Sequence, residues 1–262
     1  MMFPVGDSWT VAVIAGLFGL MLGSFLNVCT FRWPTDGSVV QPPSRCPACG
    51  ASIRWFDNVP LLSYVILKGR CRSCGVFISP QYPLVELATG LIWAGAFWRL
   101  GFSPEAARGA VFLSILLGIA ITDARFYIIP DQFSLGGVVV GLGMSFLPGG
   151  VTFVQAFLGA LVGFGALWVV AKVGTWLFRK EAMGGGDLKM MGMVGAFLGV
   201  PGVLLTLFLG SLLGAAIFGP ISWKTGKLVP FGIFLAAGAA LTYGWGERLM
   251  AWYAVEFLGR TL

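Results

Sequence analysis

Residues 11–31 run for 21 positions without one charged side chain, and seven more apolar stretches follow. A helix needs about 20 such residues to cross a hydrocarbon core of about 30 Å. Inside a bilayer no water is available to bond backbone groups, so only helices or closed barrels span it. Continuous apolar runs without a two-residue alternation predict helices. They cover residues 11–31, 83–100, 107–122, 133–148, 151–178, 188–200, 202–220 and 229–258, and Pro201-Gly202 separates two that could be halves of one. The expected fold is an all-α polytopic membrane protein with about eight transmembrane helices. Composition agrees: 57% of residues are hydrophobic and only 11% are charged, where a soluble domain carries about 25%.

Residues 32–80 are polar and Pro-rich, the one part with the composition of a soluble segment. The chain therefore divides into a first transmembrane helix (1–31), an insert (32–80) and a helical bundle (81–262). Placing the insert in the cytoplasm and alternating the spans puts thirteen Lys and Arg on its side and leaves Arg99, Arg108, Arg248 and Arg260 opposite. That is a positive-inside bias. It also sends both termini away from the cytoplasm and brings Asp123 and Asp187 to the cytoplasmic face. Residues 1–10 lack a positive n-region and do not resemble a cleavable signal peptide. Glycines recur four apart at Gly19/Gly23, Gly137/Gly141, Gly159/Gly163, Gly195/Gly199 and Gly210/Gly214, a spacing that lets helices approach closely. Trp9, Trp98 and Trp223 near span ends suit interfacial anchors. No internal repeat stands out.

The chain has no histidine, which excludes Ser-His-Asp and Cys-His catalysis, the H-E-x-x-H zinc proteases and histidine metal ligands. Cysteine is more informative. Cys46-Pro-Ala-Cys49 and Cys71-Arg-Ser-Cys74 are two C-x-x-C knuckles with 21 residues between them. Four thiolates make a closed tetrahedral zinc site with no open position, hence a structural one. A small insert with little core of its own gains stability from the metal. The rival reading, a redox pair or disulfides, loses ground in a reducing cytoplasm. Cys29, inside the first span, reads as a packing residue.

Two aspartates sit at the edges of apolar runs. Asp187 follows Gly184-Gly185-Gly186 and opens the run 188–200; Asp123 closes the run 107–122 and precedes Ile129-Pro130-Asp131. An ionisable residue at a membrane helix is a functional candidate by default, although aspartate also caps helices, and Asp131 could cap the helix before Phe133. Two carboxyls sharing a proton can activate water, one as base and one as acid.

These residues resemble the type IV prepilin peptidases, the G-x-G-D membrane aspartic proteases. Gly184, Gly186, Asp187 and Lys189 fit the G-x-G-D segment, and Asp123 with Ile129-Pro130-Asp131 fits its partner. Gly23-Ser-Phe-Leu-Asn27, Arg45-Cys46-Pro-Ala-Cys49, Asp57-Asn58-Val-Pro60, Gly69-Arg70-Cys71 and Tyr82-Pro83-Leu-Val-Glu86 are similar to the family's N-terminal module, and Val229-Pro230-Phe231-Gly232 to a late segment. The resemblance runs almost end to end. It implies a bifunctional enzyme of the bacterial inner membrane with active sites facing the cytoplasm. Such an enzyme cleaves the basic leader of type IV prepilins or type II secretion pseudopilins and then N-methylates the new N-terminal residue from S-adenosylmethionine. Asp123 and Asp187 match the catalytic pair, and Cys46, Cys49, Cys71 and Cys74 match the metal ligands. Asn27, Gly69, Arg70 and Glu86 are the candidates for the methyl-donor site, each with a packing or knuckle role as its alternative. The partners implied are prepilins in the membrane and the lipid bilayer, with no nucleic acid.

A transporter would also place carboxylates in a bundle, but with an internal repeat and charges nearer the bilayer midplane. An assembly scaffold would explain the insert and need neither aspartate. Within the pair, the helix dipoles suggest an order: Asp123 closes its helix, where the potential is negative, and Asp187 opens one, where it is positive. On that argument Asp123 holds the shared proton.

Overall fold

The computed structural model describes residues 8–180, 183–225 and 230–259. Residues 1–7, with Val229, Lys227 and Arg260 among the positions read above, lie outside them. The described residues form eight α-helices and no strand beyond two isolated bridges: α1 (Ser8–Arg32), α2 (Leu62–Ile66), α3 (Gln81–Leu100), α4 (Pro104–Phe126), α5 (Asp131–Met144), α6 (Phe153–Phe178), α7 (Gly185–Thr225) and α8 (Phe231–Leu258). Four stretches are long and apolar enough to cross a membrane: Trp9–Thr35, Pro104–Phe126, Phe153–Phe178 and Gly185–Ile217. The apolar runs 188–200 and 202–220 are two parts of α7, which kinks at Gly199, where φ is 67° and ψ is −175°. α5 has 14 residues, about 21 Å at 1.5 Å per residue, which is short of a hydrocarbon core.

The chain forms two compact units, one up to Ser114 and one from Ile115, and the boundary lies within α4. The insert thus belongs with α1 and α3 in the first unit, where the sequence division set it apart as residues 32–80. There α1 packs on α3 through the glycines of its first pair. A Cβ on Gly19 would lie 2.7 Å from Trp93 Cβ, and one on Gly23 2.7 Å from the backbone of Glu86. Trp93 anchors this contact. It meets Phe18 edge-on at 5.1 Å and packs among Ala15, Phe97, Ala106 and Ala110. Its indole N–H donates to Ser114 Oγ at 3.1 Å, the partner a buried tryptophan needs.

The second unit is built around the first part of α7. Met190, Met191, Met193, Val194 and Ala196 have no exposed surface, as expected of a helix apolar on all sides. The glycine spacing brings its neighbours in. Any side chain on Gly159 or Gly163 of α6 would overlap the α7 backbone at Gly195 and Met191. Gly137 and Gly141 of α5 fit against Met193 and Phe197. Gly238 of α8 meets the α7 backbone at Gly210, and Thr206 and Thr242 bond across the same seam at 3.2 Å. All five glycine pairs lie at helix contacts.

Candidate active site and metal centre

Asp123 lies in the last turn of α4, one turn before Phe126, and is 6% exposed. Its surroundings come from segments far away in sequence. The Ile233 N–H at the start of α8 donates to Asp123 Oδ2 at 3.0 Å. A Cβ on Gly232 would sit 2.8 Å from the same oxygen, so only glycine lets that backbone come so close. Asp187 lies in the first turn of α7, two residues past its start at Gly185. It is a residue of the helix and not its cap. The linker between α4 and α5 connects the surroundings of Asp123 and Asp187. Ile129 is buried, and a Cβ on Gly186 would lie 3.0 Å from its Cβ, while one on Gly232 would lie 2.9 Å from its Cδ1. Ile129 therefore sits between the glycine that precedes Asp187 and the glycine that packs on Asp123.

The helix-dipole order argued from sequence is offset here. Asp123 stands at the C-terminal end of α4, but it also accepts an N–H from the N-terminal end of α8. The two helix ends act on it with opposite sign. Asp131 is the first residue of α5 after the Pro130 cap, and no side-chain cap bond is made there. Its carboxylate takes Lys189 Nζ at 2.7 and 2.9 Å instead of capping. In the sequence Ile129 and Gly232 stand out only as parts of motifs. The legible signal is a glycine two residues after Pro230, in the first turn of a helix.

The four cysteines come together. The Sγ atoms of Cys46, Cys49, Cys71 and Cys74 all lie within 4.8 Å of one another, and Cys46 and Cys74 are 3.8 Å apart. Tetrahedral bonds of about 2.3 Å to zinc give edges of about 3.8 Å, so the donor set fits that ion. Each knuckle is built alike. Gly50 donates to Cys46 O and Gly75 to Cys71 O, both at 2.9 Å; Cys46 donates to Ala51 O and Cys71 to Val76 O, both at 2.9 Å. The two glycines have φ of 70° and 72°, the conformation for which glycine has no Cβ penalty. Bridges Arg45–Ser52 and Arg70–Phe77 close both loops. The insert thus contains a short repeat, Arg-Cys-x-x-Cys-Gly-x-x-Ile at Arg45–Ile53 and Arg70–Ile78, too short at nine residues to stand out as an internal repeat of the chain. The N–H groups of Cys49 and Ala48 beside the Cys46 sulfur lower its pKa to about 6, the direction that favours the thiolate form a metal binds. Cys29 is buried in α1 and is no member of the cluster.

The methyl-donor candidates fall into two pairs. Asn27 donates through Nδ2 to Tyr82 O at 3.0 Å, and its Oδ1 is buried with no partner. Glu86, one turn after Tyr82, accepts the Leu61 N–H at 2.8 Å. Gly69 and Arg70 serve the second knuckle. Gly69 has φ of 66° and leaves room for Tyr64, whose ring a Cβ would meet at 3.0 Å. The Arg70 guanidinium lies 4.8 Å over Phe77.

Comparison with known proteins gives two family matches that together cover most of the chain. Residues 17–100 match the Bacterial Peptidase A24 N-terminal domain, and residues 110–219 match the Type IV leader peptidase family. A prepilin leader peptidase/N-methyltransferase of Aeromonas hydrophila is 34% identical over 97% of this chain and 97% of its own length. One of Bacillus subtilis is 34% identical over 93% of this chain and 98% of its own. One of Myxococcus xanthus is 40% identical over 84% of this chain, and the match spans 65% of that relative. No solved structure matches.

Proposed function

The chain belongs to the type IV leader peptidase family, and on that premise we propose that it processes prepilins in two steps. It cleaves the basic leader of a type IV prepilin or type II secretion pseudopilin, then methylates the exposed N-terminal amine. The arrangement that supports the first step is Ile129 packed both against Gly186, the residue before Asp187, and against Gly232, which lies on the Asp123 carboxyl. In the proposed chemistry one carboxylate takes a proton from water as the water oxygen attacks the scissile carbonyl. The other carboxyl hydrogen-bonds the carbonyl oxygen. The tetrahedral intermediate then collapses as the departing amine receives a proton, so each carboxyl is ready for the next cycle. The active sites face the cytoplasm of the bacterial inner membrane, as the thirteen-to-four distribution of Lys and Arg suggests. The substrate enters as an apolar helix from the bilayer side.

Methylation is assigned to the first unit. Zinc would be held by Cys46, Cys49, Cys71 and Cys74 as a structural ion with no open position. S-adenosylmethionine, when bound, supplies an electrophilic methyl group. Asn27 and Glu86 are the residues that would hold it: Asn27 Oδ1 is a buried acceptor still open to an amine or hydroxyl of a bound group. Gly69 and Arg70 act through the knuckle and Tyr64. The transporter and scaffold readings are not favoured, since relatives matched over nearly their whole length carry both enzymatic names.

The test is substitution of each aspartate. Asp123→Asn and Asp187→Asn should each lower prepilin cleavage by about 10⁴-fold or more, as loss of an essential catalytic group does in other hydrolases. Thermal stability and metal content should stay as in the parent protein. Substantial cleavage by either variant would remove the carboxylate pair from the mechanism.

A further inference from the structure

The ion pair between Lys189 and Asp131 is not used by the chemistry above, yet it lies beside it. Lys189 Nζ reaches both Asp131 oxygens, at 2.7 and 2.9 Å. The side chains are 34% and 55% exposed. A pair so exposed contributes little to global stability. Its location is the informative part.

The segment after Asp123 touches the start of α7 at two points. Ile129 abuts Gly186, the residue before Asp187, and Asp131 binds Lys189, two residues after it. Asp187 lies between the two attachments. The linker itself is stiff where it matters. Tyr127 donates to Asp123 O at 3.0 Å with φ of 55°, and Pro130, with φ of −60°, joins Ile129 to Asp131. A proline ring fixes that dihedral, which removes one of the few backbone rotations between the two attachment points. One contact would act as a hinge for the start of α7, and two contacts set its register. Asp187 and Lys189 project to different sides of the helix, which lets the lysine hold the linker while the aspartate faces the site.

We propose that Lys189 and Asp131 are positioning residues of the peptidase: their ion pair, together with Ile129, sets where the Asp187 carboxyl stands relative to Asp123. The inference rests on the assignment of Asp123 and Asp187 as the reacting pair. It makes Lys189 an internal strap rather than a contact to the substrate.

The experiment measures kcat and KM for prepilin cleavage by the full chain in detergent, for Asp131→Asn, Lys189→Met, the double variant and Lys189→Arg. A small displacement of a catalytic group costs up to about a hundredfold in rate. Each single variant should therefore lose about tenfold to a hundredfold in kcat, with KM within about twofold. The double variant should be no slower than the slower single one, because both remove the same contact. Lys189→Arg should recover most of the rate, since a guanidinium also spans a carboxylate. Unfolding temperatures equal to the parent's would exclude a general loss of structure, and Lys189→Arg keeps the test decisive if Lys189→Met does not fold. A raised KM for Lys189→Met with an unaffected Asp131→Asn would overturn the proposal, because the lysine would then be meeting substrate. Losses that multiply in the double variant would overturn it too. Asp123→Asn and Asp187→Asn are measured alongside. If they still cleave, the carboxylate-pair reading fails. If they are inactive while the ion-pair variants keep the parent's kcat, only the positioning role fails.

Discussion

The four-thiol cluster and the carboxylate pair reach their geometry by opposite routes. In the insert the backbone bonds that turn each knuckle span four or five residues, from Cys46 to Gly50 and Ala51 or from Cys71 to Gly75 and Val76. The meeting of the two knuckles is long-range, and a metal ion would enforce it. At the aspartates nothing is local. Asp123 depends on Ile233 and Gly232, and the start of α7 that carries Asp187 depends on Ile129 and Asp131. A site made of spaced loops should fail when its ligands are removed. A site made of helix ends should fail when helices lose their close approach.

The largest effect expected from this contrast is loss of the metal. Cys46→Ser or Cys74→Ser should release it and unfold residues 32–80, because binding of structural zinc is worth about 10–16 kcal/mol in small zinc modules. Methylation should fall below detection, while cleavage stays within about threefold, as expected for sites without shared partners. Metal analysis of the purified parent protein and alkylation of its thiols check this. No zinc, or four thiols that alkylate in the native state, would break the comparison on the insert's side.

The next effect is smaller and belongs to the helical unit alone. Gly163 and Gly165 lie two residues apart on α6, yet a Cβ on Gly163 would overlap the α7 backbone at Met191, and one on Gly165 meets nothing within 4 Å. Overpacking of that kind costs about 1–3 kcal/mol, so Gly163→Ala should lower the unfolding temperature and reduce cleavage. Gly165→Ala should leave both unchanged or raise stability by about 0.4–1 kcal/mol through the unfolded chain. Metal content should be the same in all three proteins. Equal destabilisation by the two substitutions would mean that α6 and α7 do not depend on close approach.

What could be read from the sequence follows the same division. Cys46, Cys49, Cys71 and Cys74 were legible because ligand spacing within a knuckle is short and chemically narrow. The apolar runs were legible because length and composition alone define them. Two of them could not be told apart from one broken helix, since the kink at Gly199 depends on a backbone dihedral that composition does not record. Asp123 and Asp187 could be named and placed on one face, but the sequence could not supply the N–H of Ile233 or the wedge of Ile129. Both arise where α4, α7 and α8 converge. The counterweight to the α4 dipole is hidden in the sequence for the same reason: the helix that carries Asp123 is adjacent to it in the chain, and the helix that points at it is about 110 residues away.

The smallest effect concerns the surface pair within the insert, and it separates a decorative contact from a positioning one. Arg72, between Cys71 and Cys74, donates through Nε to both oxygens of Asp57 at 3.0 and 2.9 Å. The guanidinium holds the Asp57 carboxyl below its usual range, first through these hydrogen bonds and then through its charge. A carboxylate lowered in the folded state stabilises that state fully above its ordinary pKa of about 3.9 and ceases to do so only as pH falls through the lower folded value. Its contribution is therefore constant from pH 8 to pH 5. Metal loss over that interval comes from thiolates regaining protons. Asp57→Asn should speed metal loss to a chelator by about two- to threefold, in keeping with an exposed pair. The factor should be the same at pH 8 and pH 5, and cleavage should not change. A factor that shrinks to one by pH 5 would show the carboxyl already protonated there. Asp131→Asn makes the same chemical deletion in the other unit, also in a pair with an exposed partner. If it slows cleavage about tenfold or more while Asp57→Asn leaves cleavage alone, the difference lies in what each pair holds in place and not in the strength of the pair.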